Sequence, residues 1–152
     1  MKITLNQDQQ FRETEITINC PSIDEDLLQI ISLLQLSQQK LTGKKDGEIC
    51  IVNAKALLYI ESVDKKTFFY TDEAVYESPL RLYEFEERLS QLDFFRASKS
   101  AIVNFLKVRS IRPELGGRFI LTMENGEKLF VSRQYAARLK KKLHSLERGP
   151  LK

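Results

Sequence analysis

"FRASKSAIVNF", residues 95–105, is the stretch on which the reading of this chain turns. It sits in a run from Leu92 to Phe105 that begins apolar and belongs inside a domain. Yet it sets Arg96, Ser98, Lys99 and Ser100 close together, with Asn104 further on. Phe94, Phe95, Ile102 and Val103 are the residues expected to hold it to a core, and Asn104, after apolar neighbours, reads as a buried, satisfied amide. "DFFRAS" reads as a strand, and Ser100 is placed to cap one short helical turn over "AIVNFL".

Short strands are expected on both sides of this stretch. Upstream, "EICIV", "ALLYIES", "TFFYT" and "AVYES" carry strand-type residues, with "VDKK" as a charged turn between the second and third. Ser78 and Pro79 form a helix start, and Leu82, Phe85 and Leu89 then fall on one helical face. Downstream, "VRSIRPEL" is a strand limited by Pro113, "GG" at 116–117 turns it into "RFILTM", and Asn125–Gly126 leads into "KLFVS". Ser132 is the expected cap of a last helix with Tyr135, Leu139, Leu143 and Leu146 in a stripe, and "ERGPLK" reads as a frayed tail.

The front of the chain has a different texture. "KITLNQ" and "TEITINC" alternate apolar and polar residues, the period of half-buried strands. "PSIDEDLLQIISLLQLSQ" follows as a helix, with Ser22 or Asp24 as cap and acids in its first turn. Its apolar positions, from Leu27 to Leu36, are wider than one stripe, so two faces are expected to be covered. "LTGKKDGE" has two glycines and four lysines or acids close together and reads as a linker. The organisation expected is therefore an N-terminal β-β-α segment over 1–44, a domain over 45–147 and a tail over 148–152. The fold class is α+β and predominantly β.

Composition narrows the function. The 152 residues are 42% hydrophobic and 30% charged, an ordinary globular balance for one domain. There is no apolar run near membrane-spanning length and no secretory leader pattern, so the expected compartment is the cytoplasm. Net charge is +3, but it is unevenly spread. Residues 1–95 carry 10 Lys and Arg against 17 Asp and Glu; residues 96–152 carry 14 against 4. The basic excess extends beyond the last helix to Arg96, Lys99, Lys107, Arg109, Arg112 and Arg118. An acidic partner for this part is expected, most simply nucleic acid.

Catalytic chemistry is hard to assemble. Cys20 and Cys50, the only cysteines, form no CxxC pair, and the single histidine, His144, follows Lys140–Lys142 in a basic helix. Neither a zinc site nor a nucleophile–base pair follows from these residues, and the thiols read as buried and reduced. GxSxG, Walker A and GxGxxG motifs do not occur. No enzyme, metal or cofactor is expected.

In order and spacing, "ALLYIES…KKTFFYT", "YESPLRLYEFEERLSQLDFFRASKSAIVNFLKVRSI" and "LTMENGEKLFVSRQYAARLKKKL" resemble the LytTR family of bacterial DNA-binding domains. The resemblance covers roughly 45–147. It implies a mostly β fold, without a helix–turn–helix, whose loops enter successive major grooves. It places Lys99 as a base contact, Arg96, Ser98 and Ser100 as phosphate ligands, Lys65, Lys66 and Thr67 as a second contact, and Arg133 as a third. Some members carry histidine near 65–67 and this chain does not. Lysine and arginine can donate to guanine O6 and N7, and short hydroxyls suit phosphate oxygens.

Many members carry a phosphorylated receiver domain in front, for which residues 1–44 are too short. The resemblance is thus to stand-alone members, with input from a membrane protein or other regulatory partner, or from the protein's own abundance. Family sites are commonly paired repeats, so residues 1–44 are expected to make or support a homodimer. Two other readings stay open. One is an RNA- or single-strand-binding β module using Phe68, Phe69 and Tyr70. The other is an interaction module that binds no nucleic acid.

Overall fold

Left-handed backbone at two residue pairs, one of them without a glycine, sets the first hairpins. The computed structural model describes residues 1–148, with side chains to Ser145. Strands β1 (Lys40–Lys45) and β2 (Glu48–Asn53) are joined through Asp46 and Gly47, at φ 50° and 78°. Strands β3 (Tyr59–Val63) and β4 (Lys66–Tyr70) are joined through Asp64 and Lys65, at φ 51° and 66°. Two successive positive φ angles match the twist of paired strands. With β5 (Val75–Ser78), β6 (Phe94–Ser98) and β7 (Ala101–Asn104), these strands form a seven-stranded sheet in the order β2-β1-β5-β4-β3-β7-β6. Every pairing in it is antiparallel.

A second sheet, in the order β10-β9-β8, contains β8 (Val108–Glu114), β9 (Arg118–Met123) and β10 (Lys128–Val131). The β9–β10 loop places Gly126 at φ 91°, and the Asn125 side chain accepts from the Glu127 N–H at 3.0 Å. Helices α1 (Glu25–Leu36), α2 (Leu82–Leu89) and α3 (Ala136–Arg148) complete the fold. Asp24 caps α1, accepting from the Leu27 N–H at 2.8 Å.

Strands β3 and β7 separate two cores. Cross-strand partners Ile60 and Ile102 face Leu82, Phe85 and Leu89 of α2, with Leu41, Phe69 and Phe94 beside them. Their neighbours Tyr59 and Val103, also partners, lie in the other core with Phe95, Leu121, Met123, Val131 and Leu139. Alternation along each strand divides the residues between the two sides. The two sheets are also joined by the Tyr59 hydroxyl, which donates to Glu127 at 3.0 Å.

Several expectations change. The strands expected over 2–7 and 15–20 do not form: residues 1–20 are exposed and unpaired in either sheet, so the front is not β-β-α. Alternation marks a strand-competent segment, but a strand also needs an edge to pair with. "LTGKKDGE" is a hairpin rather than a linker, and β1 joins the main sheet through Lys44 and Glu77. A Cβ on Gly43 would stand 2.6 Å from the Phe69 ring, so this glycine admits an aromatic side chain.

Helix α2 begins at Leu82 rather than Pro79; Ser78 instead accepts from the Leu80 N–H at 3.1 Å. Ala101–Asn104 is a strand, not a helical turn, because Ile102 and Val103 are each buried in a different core. A 3-10 turn over Phe105–Lys107 follows, capped by Asn104. Cys20 is exposed and Cys50 partly buried, contrary to the expected pair of buried thiols. In the last helix Leu139 is buried and Leu143 packs beside it; the Leu146 side chain and residues 149–152 of the expected tail lie outside the described residues.

Candidate nucleic-acid interface

Backbone hydrogen bonds join three distant segments into one continuous edge. The Ser62 N–H, before the β3–β4 turn, donates to the Ser100 carbonyl at 2.8 Å. The Ser132 N–H, before α3, donates to the Ala97 carbonyl at 2.9 Å. The turns at 64–65 and 99–100 and the start of the last helical segment are thereby brought together. Lys65, Lys66, Lys99, Ser100 and Arg133 are all exposed along this edge.

The 98–100 turn is shaped from within. The β6–β7 register shifts between Arg96 and Ser98, leaving Ala97 as an extra, fully buried residue. Such a bulge re-aims the side chains that follow it. Arg96 donates from Nε to the Ser98 carbonyl at 2.8 Å and from Nη2 to the Lys99 carbonyl. Its Nη1 reaches Glu86 of α2 at 3.2 Å. The Ser98 hydroxyl accepts from the Ser100 N–H at 3.2 Å. The bonds of the turn involve the carbonyl of Lys99, and its side chain is exposed.

Arg133 is positioned by a glycine. A Cβ on Gly117, in the β8–β9 turn at φ 77°, would lie 3.0 Å from the Arg133 Cγ. The aliphatic stem of Arg133 therefore rests on bare backbone. At the other end of the edge, Arg81 donates from Nη1 to the Lys65 carbonyl at 3.1 Å, bracing a turn with two non-glycine residues in the left-handed region.

Two residues leave the expected contact set. Thr67 is 3% exposed and pairs with Ser62 and Ser78 on the inward side of the sheet. Arg96 has a side chain only 14% exposed, and all three of its nitrogens are engaged within the protein, so it holds the turn instead of presenting a phosphate ligand. Ser98 is half-buried and bonded to its own turn. The Ser132 hydroxyl is buried with no hydrogen-bond partner in the protein and does not cap the helix. Asn104 is the satisfied amide expected, 2% exposed, donating to the Leu57 carbonyl at 2.9 Å.

Residues outside the expected contact set also matter here. Arg138 joins Arg96 on the Glu86 carboxylate and stacks over Tyr135, 4.9 Å from the ring centroid. Arg118 lies 5.7 Å over Phe130. Arg81 was hidden because its partner is 16 residues away and the helix expected from Pro79 placed it within the first turn. The aromatic trio is largely committed elsewhere. Phe69 is fully buried against Tyr76, and Tyr70 stacks on Tyr59 at 4.3 Å.

The LytTr DNA-binding domain matches residues 47–144. The chain belongs to the LytTR family. The solved LytTr DNA-binding domain of a Bacillus cereus protein, named as a methyl-accepting/DNA response regulator, superposes with a TM-score of 0.66. It is 33% identical and covers 69% of this chain and 96% of its own. A Staphylococcus aureus protein named as an HTH-type transcriptional regulator is 28% identical over 145 residues, 94% of this chain and 98% of its own. The Bacillus subtilis sensory transduction protein LytT is 30% identical over 122 residues, 80% of this chain but 51% of LytT. The LytTR fold here is mostly antiparallel β, as expected, and the three α-helices among the described residues are separated in the chain by strands rather than paired through a short turn.

Proposed function

We propose that this chain is a transcriptional regulator that binds duplex DNA sequence-specifically through the edge described above. The observation that carries this reading is the joining of three cationic segments through the Ser62–Ser100 and Ser132–Ala97 backbone bonds. Turns presented on a rigid sheet can enter neighbouring grooves without a recognition helix crossing the duplex. Lys99 and Arg133 would read guanine edges, Lys65 and Lys66 would meet the second groove or its backbone, and Ser100, with Ser98 behind it, would serve phosphate. Exposed Arg109 and Arg112 on β8 add to the general attraction.

The site would be a paired repeat, each copy taking one half, with residues 1–44 supporting a homodimer. Input would come from a regulatory partner or from abundance, in the cytoplasm. The test is binding to duplex from upstream of the protein's own gene against scrambled duplex, at two salt concentrations. Wild type should prefer the native duplex, and Lys99→Ala and Arg133→Ala should each lose about 1–3 kcal/mol of that preference. Equal, salt-sensitive binding to every duplex would overturn sequence-specific reading.

A further inference from the structure

Strand β2 ends the seven-stranded sheet, and nothing in the described residues covers its outer backbone edge. Its sequence, EICIVN, carries a single charge, Glu48 at its start, with no proline, no lysine and no bulge in its pairing with β1. It also exposes Ile49 (44%) and Ile51 (54%) on one side. An open, apolar edge of this kind is a template for another strand.

The same chain holds a strand without a sheet. Residues 14–20, "TEITINC", alternate as a strand should, yet Ile16 is 63% and Ile18 39% exposed. Ile3 and Leu5, in the other alternating stretch, are each 86% exposed. This arm joins α1 through Pro21–Asp24, and Glu25 of α1 bonds Lys44 of β1 at 3.0 Å. Lys44 is the cross-strand partner of Ile49. The arm therefore leaves the domain beside the hairpin that carries β2, and it still does not pair with its own edge.

We propose that two copies exchange arms, each adding residues 14–20 as an eighth strand against β2 of the other. This rests on the pairing of copies proposed above and specifies how it is made. Two considerations select a second copy as the occupant. Ile16 and Ile18 have the same two-residue spacing as Ile49 and Ile51, so one register sets both pairs on the same side of the extended sheet. Reciprocal exchange uses both arms and both β2 edges, so assembly closes at two chains instead of growing into a fibre.

The test uses full-length chains and light scattering at micromolar concentration. Wild type is expected at twice the mass of one chain. An arm variant, Ile16→Glu with Ile18→Glu, and an edge variant, Ile49→Lys with Ile51→Lys, change exposed positions only; each alone should run as a folded monomer by circular dichroism. Mixed together they should return to twice the mass, because the intact arm of one meets the intact edge of the other and the altered pair carries opposite charges. A monomeric wild type overturns the proposal. So does either variant remaining dimeric alone, or a mixture that stays monomeric, which would indicate arm-to-arm or edge-to-edge contact. Binding of the monomeric variants to a single half-site is read in parallel. Its loss in wild type as well would break the DNA-binding reading, whereas its retention beside a failed exchange would break only this one.

Discussion

Arg96 donates from Nε to the carbonyl of Ser98, two residues ahead, at 2.8 Å. An arginine so placed fixes the path of the turn without needing to touch a ligand. Replacing it with alanine should weaken DNA binding at constant salt. The slope of log affinity against log salt should stay unchanged, because no phosphate contact is lost. A direct phosphate contact would instead reduce that slope by about 0.9. Arg96→Lys should rescue little, since a lysine cannot reproduce three donors in a planar fork. A titration series across salt for the three proteins decides it.

Lys65 stands at φ 66° in the β3–β4 turn. An L-residue there carries a steric cost that glycine does not. Lys65→Gly should raise unfolding free energy by up to about 1 kcal/mol in a urea melt. The same change should lower DNA affinity and reduce the salt slope, because a cation leaves the edge. Opposite signs in the two measurements would show that this turn keeps strain for the sake of its charge.

Gly43 lies beneath the Phe69 ring, which stacks on Tyr76 with centroids 5.0 Å apart. Gly43→Ala would force a methyl group into atoms 2.6–2.8 Å away. The expected loss is about 1–3 kcal/mol of stability. Chemical denaturation should show it as a shifted midpoint with the slope preserved.

Tyr59 joins the sheets at Glu127, and burial, then that hydrogen bond, push its hydroxyl well above the usual tyrosine range. Burial and the nearby Glu61 charge raise Tyr70 in the same direction. The folded protein therefore keeps these protons when the unfolded chain, titrating at about pH 10, releases them. Their contribution to stability is full below about pH 10 and is lost as pH rises beyond it. Thermal melts should decline steeply in that alkaline range, and Tyr59→Phe should make the decline shallower at a cost of about 1 kcal/mol near neutrality.

Strand β6 was legible in "DFFRAS", and Phe94, Phe95, Ile102 and Val103 were legible as core residues, but β7 was misread as a helical turn. The burial of Thr67 was missed, because the resemblance placed it as a contact, although it lies two residues from Phe69 and period-2 alternation puts the two on the same side. The role of Arg96 was not legible, since it depends on a bulge and on Glu86, ten residues away. Gly43 was misread because a glycine that admits a ring looks, in one dimension, like a glycine that frees a linker. The arm was misread for a different reason: alternation reports that a segment can pair and is silent about which edge receives it.

The turn at 98–100 keeps its shape through Arg96, backbone carbonyls and the Ser98 hydroxyl, none of which depends on the side chain at 99. Position 99 is in that sense a socket. Different side chains can be mounted there on an unchanged frame, so under the proposed reading a new operator preference would be one substitution away and would need no repair of the core.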